Sequence, residues 1–171
     1  MSDSLQPLLS QGLERLSLQV SPLQQQQLLA HLELIAKWNK VYNLTAVRNP
    51  REMLTHHLLD SLAVVGPLQR HLAGLRTGRR GSNSESPLDP QGMPGDPART
   101  PPTTDHVLDV GSGAGLPGVT LAITSSPSEP LRVTCVDAVA KKAGFIRQVA
   151  AELGLKHLSA VHGRIESLAL P

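Results

Sequence analysis

Residues 107–118 read Val107-Leu108-Asp109-Val110-Gly111-Ser112-Gly113-Ala114-Gly115-Leu116-Pro117-Gly118, and they set the architecture that we expect for the whole chain. A short apolar run ends in glycines and is followed by residues 119–123, which suit a helix, so the pattern predicts a strand, a tight loop and a helix. Glycines let a backbone turn sharply and approach a ligand closely, and the start of a helix offers unpaired N–H groups. The stretch therefore predicts a ligand site.

Two classes of ligand use such a junction. The spacing Gly113-x-Gly115-x-x-Gly118 fits dinucleotide-binding sites, although this fingerprint alone is weak and a glycine-rich turn without any ligand would show it too. Asp109 favours the other class, because a carboxylate at the end of the strand would repel a pyrophosphate and attract the ammonium of a methionine group. The pattern Asp109-x-Gly111-x-Gly113-x-Gly115 resembles the first motif of class I S-adenosylmethionine-dependent methyltransferases.

A second strand and a third are predicted downstream. Residues 131–136 predict a strand that ends at Asp137, twenty-six residues after Gly111; residues 139–153 predict a helix and residues 158–161 another strand. An acid at this distance from the glycines suits a carboxylate that accepts both ribose hydroxyls of a nucleotide. Both ligand classes require such an acid, so Asp137 supports a nucleotide without choosing between them.

The alternation of strands and helices predicts an α/β fold with a Rossmann-like parallel sheet and right-handed crossovers. The loops at the carboxyl ends of the strands then gather Asp109, the glycines, Asp137 and Arg164-Ile165-Glu166 in one crevice. Residues 106–171 are expected to form this partial Rossmann-like domain.

Residues 1–70 are expected to form a helical cap. Leucines at near-helical spacing in residues 5–18 indicate a first helix, which Pro7 and Gly12 weaken. Ser21-Pro22 predicts the start of a second helix, which should run to about Lys40, because the hydroxyl caps it and the proline fits its first turn.

A third helix is predicted from Asn49 and Pro50, with Glu52 completing a capping box. Gly66-Pro67 should close or kink it. Its apolar stripe consists of Leu54, Leu58, Leu62 and Val65. His57 and Asp60 could form a hydrogen-bonded pair, half of a metal site or a pH-sensitive dyad; since no third ligand stands at a suitable spacing, we expect no metal and favour a structural or substrate-shaping pair.

Residues 71–105 are interpreted as an insertion, and the composition changes most clearly from about Arg76 to Thr104, where proline, glycine and serine predominate. This composition predicts a disordered surface loop. A basic cluster at its start could touch RNA, but a solvated linker is the favoured interpretation. The cluster consists of Arg70, Arg76, Arg79 and Arg80.

The composition of the 171 residues sets limits on function. Aromatic residues make up 2% of the chain, namely Trp38, Tyr42 and Phe145, which argues against a platform that stacks bases on rings. A net charge of +2 permits a polyanionic partner and equally suits an ordinary surface. Cys135, the single cysteine, lies in an apolar run, so we expect a buried side chain and neither a disulfide nor a cysteine metal cluster.

No charged-then-apolar leader opens the sequence, and no apolar stretch approaches the roughly 20 residues that span a bilayer. We therefore expect a cytoplasmic protein, without a membrane partner and monomeric.

Two stretches before the glycines give the most specific signal, and with residues 108–118 they resemble the bacterial small-subunit ribosomal RNA guanine-N7 methyltransferases, the RsmG or glucose-inhibited division protein B family. The two stretches are Lys37-Trp38-Asn39-Lys40-Val41-Tyr42-Asn43-Leu44-Thr45 and His57-Leu58-Leu59-Asp60-Ser61. The resemblance implies methyl transfer from S-adenosylmethionine to N7 of a guanine in 16S ribosomal RNA, with that RNA or the small ribosomal subunit as partner.

The resemblance also implies roles for single residues. Asp137 would take the ribose of the cofactor, Ile165 and Glu166 would lie near its adenine, and Arg164 matches an arginine near the active site. The residues expected to hold the remainder of the cofactor are Asp109, from its charge, and Gly111, Gly113, Gly115 and Leu116, from the resemblance. The residues expected to shape the RNA site are Asn39, Asn43, His57, Asp60 and Ser61.

The expected chemistry needs no base, because guanine N7 has a lone pair and no proton to lose. A cysteine nucleophile is not expected, since Cys135 lies inside a strand.

Family members continue beyond the third strand, whereas this sequence stops at Pro171, which leaves the first strand of a 3-2-1-4-5 sheet as an open edge. We therefore expect a fragment or truncated product with weak or no activity alone. A non-catalytic module that binds S-adenosylmethionine or ribosomal RNA is the main alternative, and an NAD-dependent oxidoreductase is a third.

Overall fold

A computed structural model describes residues 2–82, 105–128 and 130–167. The N-terminal elements are α1 (Ser2–Arg15), α2 (Pro22–Tyr42), α3 (Pro50–Met53), a π-helical segment (Leu54–Leu59), α4 (Asp60–Ala63) and α5 (Val65–Ser82). The C-terminal elements are β1 (His106–Val110), α6 (Gly118–Thr124), β2 (Arg132–Asp137), α7 (Ala140–Glu152), β3 (Leu158–His162) and a 3-10 turn (Ile165–Ser167).

The three strands form a parallel sheet in the order β1-β2-β3. Helices α6 and α7 make the crossovers, so the predicted α/β, Rossmann-like fold with strand order 3-2-1 is confirmed. Val110 pairs with Val136, and Asp137 pairs with His162. All three strands therefore end at the same edge of the sheet, next to the loops that carry the predicted site.

β2 forms the centre of the sheet and is covered on both faces. Val133 and Cys135 point to one face of the sheet and Val136 points to the other, and all three are buried. The predicted burial of Cys135 is confirmed.

The cap docks on the sheet layer through glutamine side chains of α2. Ser21 and Gln24 form a reciprocal capping box at its start. The sequence predicted the cap by Ser21 but not the contribution of Gln24. The amide of Gln24 also donates to the carbonyl of Ile123 at 2.8 Å, and that of Gln27 donates to Leu153 at 2.9 Å. Both carbonyls lie at helix ends, where intrahelical partners are lacking. Polar residues of α2 thus satisfy the ends of α6 and α7.

The third cap helix begins where the sequence predicted but is not a single α-helix. The side chain of Asn49 accepts hydrogen bonds from the amides of Arg51 and Glu52. After α3, residues 54–59 are π-helical, with Leu54 and Leu58 fully buried as predicted. Apolar residues spaced by four overshoot an α-helical turn of about 3.6 residues, and a wider π turn takes up this excess.

The predicted start of the loop at Arg76 is wrong, because α5 continues to Ser82. Gly66-Pro67 lies in the first turn of α5, where proline is tolerated, so the preceding helix does end there and a new one begins. Arg76 does not belong to an open basic cluster, since its guanidinium binds the carboxylate of Asp105 at 2.6 and 2.8 Å. The remainder of the predicted insertion, residues 83–104, lies outside the described residues.

His31 of α2 connects the cap to the sheet layer from inside the core. It is fully buried, and its Nε2 lies 3.0 Å from the carbonyl oxygen of Ala114. Its ring stacks on Phe145 of α7, which Trp38 contacts edge-on. The aromatic side chains thus fill the junction between the two parts of the fold.

Gly118 starts α6 where no side chain fits. A Cβ there would lie 2.5 Å from Sγ of Cys135 and 2.6 Å from Oδ2 of Asp109, both on strands. We expect Gly118→Ala to lower the free energy of unfolding by about 1–3 kcal/mol. In the control Gly144→Ala, inside α7, the new Cβ meets nothing within 4 Å, and a change of zero to about 1 kcal/mol in the stabilising direction is expected. Urea unfolding measures both; equal stabilities would contradict the close packing at α6.

His31 predicts a pH dependence of stability. Burial lowers its pKa from 6.5 to about 4, against a smaller opposing effect of the bond to Ala114, and its neighbours Ala114 and Phe145 are uncharged. Between these pH values the unfolded chain therefore binds more protons than the folded chain. The free energy of unfolding keeps its full value above pH 6.5 and falls by about 3 kcal/mol as the pH drops towards 4. His31→Gln should remove this part of the pH dependence, and the exposed-site control His71→Gln should retain it. Urea unfolding curves measured across that range decide; parallel pH profiles for wild type and His31→Gln would refute the prediction.

Candidate functional site

The glycine corner, residues 109–118, is a compact turn held by backbone hydrogen bonds within itself and to β2. The amides of Gly111 and Ser112 donate to the carbonyl of Val136, at 2.8 and 3.2 Å. The amides of Gly115 and Leu116 donate to the carbonyl of Ser112, at 2.7 and 3.0 Å. Gly115 has a φ of 81°, and a Cβ there would run into the side chain of Val119. Glycine is therefore required at this position for both conformation and space.

Asp137 holds the glycine corner from the neighbouring strand. Its side chain is 6% exposed; Oδ2 accepts a hydrogen bond from the amide of Gly113 at 2.9 Å and Oδ1 accepts one from Val139 at 2.8 Å. The structure thus brings Asp137 and the glycines together, as the sequence predicted. The sequence did not reveal that this carboxylate also braces the turn.

Asp109, the first residue of the corner, bonds its far end. Its Oδ2 accepts from the amide of Gly118 at 2.9 Å and lies 3.8 Å from Sγ of Cys135. Burial and the charge of Asp109 raise the pKa of the Cys135 thiol to about 12, so the thiol is neutral at ordinary pH and is not an activated nucleophile. One oxygen of Asp109 therefore holds the backbone of the corner. The sequence predicted only an interaction of Asp109 with the ammonium of a ligand.

The loop after β3 joins the same edge. The amide of Gly163 donates to the backbone carbonyl of Asp137 at 3.0 Å, which anchors the loop beside the glycine corner. Arg164 and Glu166 are exposed and Ile165 is half-buried at the start of the 3-10 turn. Residues 164–166 thus follow the carboxyl end of β3, the edge that the sequence predicted for them, while a crevice shared with the glycines and their roles stay predictions.

A cleft of about 310 Å³ lies between residues 56–64 of the cap and Leu116-Pro117 of the glycine corner. It brings three predicted substrate-shaping residues, His57, Asp60 and Ser61, next to the predicted cofactor residue Leu116. The full lining consists of His56, His57, Asp60, Ser61, Val64, Leu116 and Pro117.

Three lining residues, His56, Val64 and Pro117, were not predicted. His56 and Val64 stand four residues to either side of Asp60, opposite the buried leucine stripe, so helical periodicity could have found them.

His57 pairs with Thr45 and not with Asp60. Its Nε2 lies 2.7 Å from Oγ1 of Thr45, which corrects the hypothesis of a His57–Asp60 pair or dyad. The side chain of Asn39, which is buried, accepts from the amide of Thr45 at 3.0 Å. Asn39 therefore acts on the cleft through Thr45 and His57.

Asn43 stands apart from the cleft lining. It ends α2 in the left-handed conformation with a φ of 49°, is exposed, and accepts a hydrogen bond from Arg48 at 3.4 Å. Its local role is that of a C-cap, a position that asparagine tolerates well.

Within residues 2–82, 105–128 and 130–167, no group of three or more His, Cys, Asp or Glu side chains is arranged to hold a metal ion. In the same part of the chain, none of the helices has the length and apolar character to cross a membrane.

Comparison with known proteins agrees with the motifs. The sequence profile of a family described as rRNA small subunit methyltransferase G matches residues 24–73 and 98–170. The match omits residues 74–97, which fall within the predicted insertion.

Three relatives bear the name "Ribosomal RNA small subunit methyltransferase G". That of Methylibium petroleiphilum is 50% identical over 161 residues, covering 94% of this chain and 59% of the relative. That of Paracidovorax citrulli is 51% identical over 170 residues, covering 99% and 62%. That of Acidovorax ebreus is 50% identical over 168 residues, covering 98% and 64%.

The chain thus spans about 60% of the length of the curated relatives that it matches. The family profile covers well over half of this sequence, including the cap, the glycine corner and the loop after β3. The resemblance drawn from the sequence is confirmed: the chain belongs to the rRNA small subunit methyltransferase G family.

Proposed function

We propose that the chain forms the cap and the cofactor-binding side of an enzyme that transfers a methyl group from S-adenosylmethionine to N7 of a guanine in 16S ribosomal RNA. The cleft supports this proposal, because His57, Asp60 and Ser61, which we propose to shape the RNA site, line it together with Leu116 of the glycine corner. A methyl donor held at the corner and a base entering from the cap side would meet there. The proposed partner is the RNA itself or the small subunit, which places the protein in the cytoplasm.

The residues at the carboxyl edge fit an adenosyl methyl donor. Asp137 is buried beside the glycine corner, and each of its oxygens accepts one backbone N–H. A carboxylate has about four lone-pair sites, so two remain for the ribose hydroxyls. Gly111, Gly113 and Gly115 would let the backbone pass close to the donor, with Leu116 beside it. Ile165 and Glu166 would flank the adenine, and Arg164 is the candidate catalytic residue.

Asp109 would serve the donor in two ways. Its Oδ2 holds the amide of Gly118 and so fixes the start of α6 under the corner. Its negative charge, at the end of β1, attracts the ammonium of the methionine group.

The bound donor supplies an electrophilic sulfonium methyl group. The residues of the chain need only align the guanine, because its N7 would attack the methyl carbon with a lone pair while the carbon–sulfur bond breaks and S-adenosylhomocysteine leaves, and no proton is removed. Positive charge then spreads over the purine. Asp60, an exposed carboxylate on the cleft wall, is placed to stabilise this charge, and exclusion of water by the cap would strengthen the effect.

We propose the division predicted from the sequence, with one change. The cap extends from residue 1 to the end of α5 at Ser82 in place of residue 70, the insertion follows it, and residues 106–171 belong to the Rossmann-like part.

A second candidate follows from the length of the chain. Since it spans about 60% of its relatives, it could bind the donor or the RNA without turning over. Binding and transfer are therefore measured separately.

Binding is tested by calorimetry with S-adenosylhomocysteine. We expect binding by the wild-type chain and a loss of at least about tenfold in Asp137→Asn, because an NH2 group would then face the amide of Gly113 or Val139 in place of an acceptor. Glu152→Gln, on the exposed end of α7, is the control and should bind like wild type. Tighter binding of a nicotinamide dinucleotide than of S-adenosylhomocysteine would overturn the ligand assignment.

Transfer is tested with labelled S-adenosylmethionine and small ribosomal subunits or their RNA, followed by nucleoside mass spectrometry. We expect slow formation of N7-methylguanosine, reduced about tenfold or more in His57→Ala, which removes the cleft-wall contact to Thr45, and unchanged in the control His71→Ala on α5. Methylation at another atom would contradict the assigned reaction. Binding without any transfer would favour the non-catalytic module.

A further inference from the structure

His31 is placed and bonded unlike an ordinary core residue. It belongs to α2 of the cap, yet its Nε2 lies 3.0 Å from the carbonyl oxygen of Ala114, in the middle of the glycine corner. Ala114 stands between Gly113, whose amide is held by Asp137, and Gly115, whose amide closes the turn on Ser112. The imidazole therefore contacts the same peptide group whose N–H, that of Gly115, closes the turn on Ser112.

The geometry determines the protonation state of the ring. A carbonyl oxygen only accepts, so Nε2 must carry the proton and donate it. Nδ1 is then an acceptor, and this buried atom has no hydrogen-bond partner within the described residues. A cation would need a second acceptor at Nδ1, and burial without one lowers the pKa of the ring to about 4. His31 is thus a neutral donor at ordinary pH.

A role in packing alone does not explain this histidine. A buried polar atom without a partner destabilises the folded chain, whereas an apolar side chain of similar size in contact with Phe145 would avoid that cost. The feature that an apolar residue could not supply is the N–H directed at Ala114.

We propose that His31 is a positioning residue for the methyl donor: from the cap helix, its Nε2–H holds the Ala114 carbonyl and keeps the glycine corner in the shape that receives the ligand. The inference rests on the proposed function of the corner. It also couples the two sides of the site, because the same helix carries Asn39, which supports Thr45 and His57 at the cleft. Displacing α2 would therefore disturb the corner and the cleft together.

The test compares two variants at this position by their dissociation constants for S-adenosylhomocysteine. His31→Gln keeps a side-chain N–H at about the distance of Nε2, whereas His31→Phe keeps the ring and loses the donor. We expect the dissociation constant to rise about threefold to tenfold in His31→Phe and to stay within about twofold of wild type in His31→Gln. Equal losses in both variants, or none in His31→Phe, would overturn the proposal.

Two measurements without ligand separate this proposal from the proposed function. If the corner does not bind S-adenosylhomocysteine, the proposed function fails, and these measurements still test whether the His31 N–H shapes the corner. Nitrogen NMR of the wild-type ring should show the Nε2–H tautomer; the Nδ1–H tautomer would refute the bond to Ala114. Hydrogen exchange at the amides of Gly115 and Leu116 should be faster in His31→Phe than in His31→Gln, with β2 amides unchanged. Uniformly faster exchange in both variants would show a purely structural role. If His31→Phe does not fold, the comparison of His31→Gln with wild type and the tautomer decide.

Discussion

Two carboxylates hold the backbone of the glycine corner, and the rest of the site depends on them. Asp109, from β1, accepts the amide that starts α6, and Asp137, from β2, accepts the amide of Gly113. These bonds require the two strands to end level with each other, which the pairing of Val110 with Val136 ensures. The parallel register thus determines the shape of a turn that no single strand could hold.

The cap is attached to the sheet layer by polar contacts as well as by apolar packing. Amides from Gln24 and Gln27 satisfy the ends of α6 and α7, and His31 reaches the corner between them. Such directional bonds fix the position of α2 more narrowly than leucine packing alone, since hydrogen bonds weaken steeply with angle. The position of Asn39, which supports Thr45 and His57 at the cleft, is fixed by the same contacts.

Much of the fold could be predicted because its signals are local. Neighbouring residues alone predicted where two helices begin, at Ser21 and at Asn49. They also predicted the three strands and the glycine corner. The errors concern partners that lie far away in sequence. His57 binds Thr45, twelve residues earlier, and Arg76 binds Asp105, twenty-nine residues later. Neither pairing leaves a periodic pattern, and the π turn depends on burial of the whole stripe.

The ion pair between Arg76 and Asp105 has a consequence for variation within the family. It joins Arg76, six residues before the end of α5, to Asp105, the residue before β1, so the connection between these two residues starts and ends at bonded positions. Closing a flexible loop costs only about 0.6 kcal/mol for each doubling of its length. The connection between the two paired residues can therefore change in length at little cost while β1 keeps its place; of the pair, Asp105 lies in the part that the family profile matches, and Arg76 lies within residues 74–97, which it omits.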